Sequence, residues 1–152
     1  MNSRKHFLGI IVTAAITMSV STGSGLAQQA TPVSTKNSPD KGVSTAIEGL
    51  VRDVACPIQN HESTATDFNL KCALACARHG SPLIILTNTG DMYFPISDEM
   101  PDSSQRDKLM PFVGSYVRAS GIVYTRNGTR TIVIKTIAPR NGIKLNTHLG
   151  DD

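Results

Sequence analysis

Apolar residues recur along the chain in short runs, some alternating with polar residues and some continuous, which is typical of β-strands. Five such runs are bounded by Gly, Pro, Asn or Asp, the residue types that form turns. They predict strands over residues 43–54, 83–87, 92–96, 116–124 and 131–137. The short connections at 88–91 and 126–129 predict two hairpins, and the Asn127-Gly128 pair in the second favours a type I′ turn.

Two other segments show the repeat of three to four residues that is typical of an amphipathic helix. The first covers residues 67–79, with Thr66 as the expected N-cap and Gly80 in the left-handed conformation that often ends a helix. The second begins near Asp102, which forms an approximate capping box with Gln105. Its apolar stripe consists of Leu109, Phe112 and Val113.

The predicted order of elements is strand, helix, hairpin, helix, hairpin. Five strands with a helix between the third and the fourth follow the order of an OB-type barrel. We therefore expect a mainly β domain with two helices, built as a small five-stranded OB-like barrel. The helix 67–79 carries two cysteines, follows a loop over 56–65 and is an insertion relative to the plain barrel. Residues 114–124 look like the fourth strand of such domains, in which a glycine lets a long strand curl and close the barrel. A partly open sandwich is the alternative.

The N-terminal segment has the three parts of a secretory signal peptide. Arg4 and Lys5 make a positive start, residues 7–20 are uncharged and mostly apolar, and Gly25 and Ala27 suit a cleavage site. We predict a signal peptide over 1–27, a flexible leader over 28–42, the OB-like domain over 43–139 and a flexible tail over 140–152. The protein is then periplasmic or secreted, with no stable membrane span after cleavage. An uncleaved N-terminal anchor is the alternative.

Removal of the signal peptide changes the charge balance. The chain has 15 Lys and Arg against 12 Asp and Glu, and loss of Arg4 and Lys5 leaves 13 against 12, a net charge of +1. A nearly neutral domain without Trp lacks the basic, aromatic surface of a typical nucleic-acid-binding protein. No nucleophile elbow, phosphate-binding loop or dinucleotide fingerprint is present. We expect no enzyme activity, no catalytic residues and no organic cofactor.

The candidate chemistry lies in three cysteines and two histidines. At about 100° per residue, Cys72, Cys76 and His79 fall within an arc of about 60° on helix 67–79. The opposite side of this helix carries its apolar residues: Leu70, Leu74 and Ala77. Cys56 ends the first strand and His61 lies in the loop that follows. The predicted metal ligands are Cys56, Cys72 and Cys76, completed by His61 or His79. Sulfur and imidazole ligands suit Zn²⁺ or Cu(I), so the partner would be a metal donor or acceptor.

A disulfide is the competing interpretation of the cysteines, because exported proteins meet an oxidising environment. Cys72 and Cys76 are poorly spaced for each other, so Cys56 would pair with one of them and leave an odd thiol. The protein would then be a disulfide-stapled, non-catalytic binding module for an unknown protein partner. Buried inert thiols are a third state, and a thiol redox enzyme is disfavoured because no Cys-x-x-Cys motif is present.

Three short motifs carry a resemblance to known proteins: Gly49-x-Val51-x-Asp53-x-x-Cys56, Cys72-x-x-x-Cys76 ending at Gly80, and Gly121-x-Val123. On these residues the chain resembles a loose group of small exported bacterial domains with OB-like cores, over residues 49 to about 137. The resemblance implies the barrel fold and the placement of the cysteines. It implies no activity, because these domains are largely uncharacterised.

Overall fold

The computed structural model of the protein describes residues 41–148. The predicted signal peptide (1–27), nearly all of the predicted leader and residues 149–152 of the predicted tail lie outside the described residues. Within 41–148, no helix is long and apolar enough to cross a membrane.

Strands dominate the described part of the chain, and three short helices lie between them. The strands are β1 (Val43–Asp53), β2 (Asp67–Phe68), β3 (Leu83–Leu86), β4 (Met92–Ile96), β5 (Tyr116–Arg126), β6 (Thr129–Pro139) and β7 (Asn146–Thr147). The helices are α1 (Ala55–Gln59), α2 (Leu70–Arg78) and α3 (Arg106–Leu109), the last continued by a 3₁₀ turn, Met110–Phe112.

The five longer strands close into a barrel in the order β1-β3-β4-β6-β5, with β5 returning to pair with β1. The neighbours β4 and β6 are parallel, and all other neighbours in the barrel are antiparallel. The predicted OB-like barrel is therefore confirmed, and the alternative of a partly open sandwich is wrong. Strand β5, 11 residues long, pairs with β1 along one edge and with β6 along the other, and its register with β6 changes between Ser120 and Gly121.

Buried side chains lie on both faces of the barrel wall, most completely in β3 and the second half of β1, because alternate side chains point to opposite sides of a sheet. One set forms the inner cluster, which includes the predicted stripe residue Leu109 of α3: Ile47, Val51, Ala77, Leu83, Ile85, Leu109, Val117, Ala119, Ile132 and Ile134. The other set forms the outer cluster, in which Phe68 of β2 and Ala73 of α2 cover the outside of β1 and β3: Leu50, Ala65, Phe68, Ala73, Ile84, Leu86 and Tyr116. Helix α2 is therefore fixed against the barrel by both clusters.

The predicted helix 67–79 begins later than expected. Asp67 and Phe68 pair with β7 as strand β2, so they cannot take part in a helix. Helix α2 begins at Leu70, and its N-cap is Asn69 rather than Thr66. Its buried side chains are Ala73 and Ala77, whereas the predicted apolar residues Leu70 and Leu74 are half-buried.

Two further local predictions are corrected. The predicted loop over 56–65 begins as the short helix α1, so the domain has three helices instead of two. The predicted capping box at Asp102 does not form, because the Asp102 carboxylate accepts a hydrogen bond from the Ser97 backbone N–H (2.7 Å). Gln105 is instead the N-cap residue of α3, without a capping bond from its side chain.

Part of the predicted tail belongs to the domain. Strand β7 pairs in parallel with β2, and Ile143 and Leu145 pack against the outer cluster. The backbone N–H of Asn146 donates to the Thr66 carbonyl (2.7 Å), and that of His148 donates to the Phe68 carbonyl (3.0 Å). Residues 143–148 thus belong to the folded domain and lie beside the start of α2.

Candidate metal centre

Cys56 is positioned by the end of β1. The Asp53 side chain is buried and accepts a hydrogen bond from the Cys56 backbone N–H at 2.8 Å. The Val54 backbone N–H donates to the Pro82 carbonyl at 3.0 Å. The first turn of α1 is therefore bonded to β1 and to the segment before β3, and the Cys56 thiol lies at the edge of the barrel, half-buried.

Cys72 and Cys76 are positioned by α2. The Asn69 side chain caps the helix by accepting a hydrogen bond from the Cys72 backbone N–H at 2.8 Å. Because Ala73 and Ala77 pack into the barrel, the two cysteines one turn apart lie on another side of the helix. Cys72 is exposed and Cys76 is half-buried.

The structure brings all three predicted cysteine ligands together. The Cys56 and Cys72 sulfurs are 3.2 Å apart, and all three Sγ atoms lie within 4.8 Å of one another. In a tetrahedral zinc site with Zn–S bonds of about 2.3 Å, sulfurs are about 3.8 Å apart. Small side-chain adjustments would therefore bring three thiolates around one ion. We call this group the thiol cluster.

The cysteines are free thiols, so the predicted disulfide is not formed. The Cys56 and Cys72 sulfurs are 3.2 Å apart, which exceeds an S–S bond of about 2.05 Å. The two thiols are hydrogen-bonded to each other.

The surroundings of Cys56 and Cys76 favour the protonated state of these two thiols. Burial raises the pKa of Cys56 well above its usual range, and the hydrogen bond with Cys72 and the negative charge of Asp53 act in the same direction. Burial also raises the pKa of Cys76, followed by the charge of Asp53. A bound cation has the opposite effect, because it coordinates the thiolates and releases their protons.

The two predicted histidine ligands are not part of the thiol cluster, which among residues 41–148 consists of the three cysteines. His61 is exposed and lines a separate depression with Pro57 and Thr87. His79 is exposed and forms the C-cap of α2, where its backbone N–H donates to the Ala75 carbonyl at 3.0 Å. A ligand role for either histidine stays a prediction.

A cleft of about 350 Å³ opens beside the thiol cluster and contains two residues that sequence reasoning missed as site residues. Cys56 and Cys72 line this cleft together with Arg52 and His148. His148 falls in the predicted flexible tail, where the sequence gives a histidine no neighbour. Arg52 falls in the predicted first strand, where the local pattern gives no indication that a charged residue is buried.

Arg52 is a charged side chain that is only 1% exposed. Its guanidinium donates to the Ser63 hydroxyl (2.6 Å), lies 3.4 Å from the Asp53 carboxylate and 5.7 Å from the centre of the Phe68 ring. Its Nε has no hydrogen-bond partner among the described residues. The cleft beside the thiols is therefore lined by a buried guanidinium with one N–H that has no partner among the described residues.

No protein-family model, curated protein or solved structure matches this chain. The site is consequently defined by its own geometry. It is a cluster of three thiols at the edge of an OB-like barrel, and such a cluster can hold a metal ion.

Proposed function

We propose that this chain is an exported protein that binds a soft transition metal, copper or zinc, through Cys56, Cys72 and Cys76. The observation that carries the proposal is the mutual approach of the three sulfurs to within 4.8 Å. Two of these sulfurs come from α2, and the third comes from α1, which directly follows the end of β1. Two separate helices therefore contribute to one small volume.

The chemistry of the donors supports a soft metal rather than Mg²⁺ or Ca²⁺, which prefer oxygen ligands. Three thiolates around Cu(I) or Zn²⁺ make a centre with net negative charge. Arg52 lines the cleft beside two of the cysteines, and its guanidinium would partly offset this charge. A metal also accounts for the odd number of cysteines in an exported protein, for which pairing leaves one thiol unused.

Export is the other part of the proposal, and it is supported by the sequence alone. Arg4 and Lys5 precede the apolar run over 7–20, and small residues follow at 25 and 27. The protein would then receive or deliver its metal in the periplasm or outside the cell. The raised pKa of Cys56 and Cys76 is the reverse of the activated thiolate that a redox enzyme needs, so we assign no catalytic step.

Metal analysis of the full chain tests the metal-binding proposal. The protein is purified without oxidation, incubated with Zn²⁺ or Cu(I), freed of excess metal and analysed by elemental mass spectrometry. We expect one ion per chain and its loss in Cys56→Ser, Cys72→Ser and Cys76→Ser. Met100→Leu is the matched control, because Met100 is a sulfur-bearing residue that is 92% exposed and outside the thiol cluster. Absence of bound metal in the reduced parent chain would overturn the proposal.

A disulfide-stapled binding module is the second candidate: the cysteines are free in the structure, and oxidation of Cys56 and Cys72, whose sulfurs are 3.2 Å apart, would have to form its disulfide. Closing this loop of 16 residues would stabilise the fold by roughly 3 kcal/mol in the chain-entropy model. Thiol counting with intact mass on the exported protein separates the two candidates. One free thiol on Cys76 supports the binding module, and three free thiols with bound metal support the first proposal.

A further inference from the structure

We propose that His148, oriented by Asp67, is the fourth ligand of the metal held by the thiol cluster. This inference rests on the proposed function and deepens it, because it adds a fourth ligand to the three cysteines and assigns that position to neither His61 nor His79. The observation behind it is that His148 lines the same cleft as Cys56 and Cys72, whereas His61 lines a different depression.

The His148 ring is held through one of its two nitrogens. Its Nε2 lies 2.6 Å from the Asp67 carboxylate, and the Asn146 side chain donates to the second oxygen of that carboxylate at 2.9 Å. A neutral imidazole whose Nε2–H donates a hydrogen bond to the Asp67 carboxylate keeps its proton on Nε2 and has its lone pair on Nδ1. Histidine ligands of metals commonly have this arrangement, with a carboxylate on the nitrogen that does not bind the metal.

The backbone fixes His148 close to the helix that carries two of the thiols. Its N–H donates to the carbonyl of Phe68 (3.0 Å), and the next residue, Asn69, caps α2 by accepting from the Cys72 backbone N–H. Two consecutive residues thus connect the histidine to the start of α2. The parallel pairing of β2 with β7 holds this register.

The His148 side chain has the freedom to approach the sulfurs. As placed, its ring is outside the group of atoms within 4.8 Å that the three sulfurs form, so it must move toward them to bind the same ion. His148 is 61% exposed and Asp67 is 45% exposed, so the two side chains can move together without disturbing buried packing. The two other candidates lack an equivalent orienting contact among the described residues. His79 contributes a backbone hydrogen bond at the end of α2, and His61 is exposed in the segment after α1.

Zinc affinity in a set of single variants tests the inference. The probe is Zn²⁺ alone, titrated into the reduced full chain in competition with a chromogenic chelator. We expect His148→Ala to weaken binding by about 100-fold or more and Asp67→Asn by about 10-fold, as for the loss of a ligand and of its orienting partner. The matched controls are His61→Ala and His79→Ala, which should each stay within about twofold of the parent.

Cobalt absorption gives a readout that a structural role of His148 would not change. The visible bands of Co²⁺ report its ligands, so replacement of an imidazole by water should shift them in His148→Ala and leave them unchanged in His61→Ala. Parent-like zinc affinity and cobalt bands in His148→Ala would overturn this inference and leave the three-cysteine proposal standing. Equal weakening in all three histidine variants would also overturn it. A parent chain that binds no zinc would overturn the proposed function, and this inference with it.

Discussion

Arg52 and Asp53 are neighbouring residues of opposite charge that are both almost fully buried at the end of β1. Their contact is long, at 3.4 Å, and each has one short hydrogen bond elsewhere, Arg52 to Ser63 and Asp53 to the Cys56 backbone. Burial of a charge without a partner is strongly unfavourable. The pair therefore connects the stability of the barrel to the position of Cys56.

Removal of one charge of this pair should destabilise the fold more than removal of both. Asp53→Asn and Arg52→Met should each lower the free energy of unfolding by about 3 kcal/mol, because each leaves a buried charge without its partner. The double variant should lose clearly less than the sum. Urea unfolding of the reduced, metal-free protein measures all three values.

Arg118→Met is the control for this comparison, because Arg118 is 58% exposed and its ion pair with Glu48 is on the surface. Its effect should be below about 1 kcal/mol. Additive losses in the Arg52 and Asp53 variants would contradict the prediction, since they would mean that the two charges do not interact.

Among the secondary-structure elements, the contact between β1 and β5 carries a charge pair with a predictable pH dependence. Glu48 and Arg118 are directly opposite each other in the two strands, and their side chains are 2.7 Å apart. The Arg140 guanidinium lies 3.3 Å from the same Glu48 oxygen. The hydrogen bond from Arg118, with smaller contributions from Arg140, lowers the pKa of Glu48 below its usual value.

The stability that Glu48 provides should therefore disappear in acid. A carboxyl with a lowered pKa in the folded state stabilises the fold above its unfolded pKa, and this contribution is lost as the pH falls through the folded pKa. Glu48→Gln should be less stable than the parent at neutral pH and equal to it at low pH. Denaturant unfolding at a series of pH values measures this difference, which should vanish in an Arg118→Met, Arg140→Met background. A difference that is constant with pH would show that the ion pair is not its cause.

The strands and hairpins were predictable because each depends on residues close together in the sequence. Alternation in residues 43–54 and the Asn127-Gly128 pair define β1 and the last hairpin locally, and this turn has the positive φ angles of a type I′ turn (49° and 81°). Strand β2 was not predictable, since its partner β7 is 79 residues away and both strands have only two residues. Helix α1 was missed because five residues that include Pro57 give too short a pattern.

The same difference between local and distant contacts decides what could be predicted of the site. Cys72 and Cys76 share a side of one helix, and Cys56 follows the strand before it, so their approach could be predicted from spacing. His148 and Arg52 reach the cleft only because β7 pairs with β2 and Phe68 covers the barrel. No pattern within a short window reports these contacts.

At the scale of the whole molecule, the fold depends on closure of the barrel through β5. At Gly121, where the register with β6 changes, a Cβ atom would lie 1.9 Å from the Val133 carbonyl oxygen. The two strands can approach this closely only because residue 121 has no side chain.

Gly121→Ala should therefore destabilise the protein severely, by about 3 kcal/mol or more, because β5 and β6 must separate at a position where they are neighbours in the barrel. Thermal unfolding followed by circular dichroism measures the loss. Ser120→Ala, at the adjacent position of the same strand, adds no atoms and should unfold within a few degrees of the parent. A parent-like melting temperature for Gly121→Ala would contradict this account of closure.

The direction of β1 and the pairing of β7 have a practical consequence for handling the protein. Strand β1 places Val43 about 33 Å along the strand from Asp53, which adjoins the thiols. An affinity handle fused ahead of residue 43 therefore joins the domain at a distance from the cysteines. An affinity tag fused after residue 152 would follow the segment that contains His148, which lines the cleft. A polyhistidine tag at that end would compete with the protein for the same metal ions. Metal titrations should use N-terminal handles.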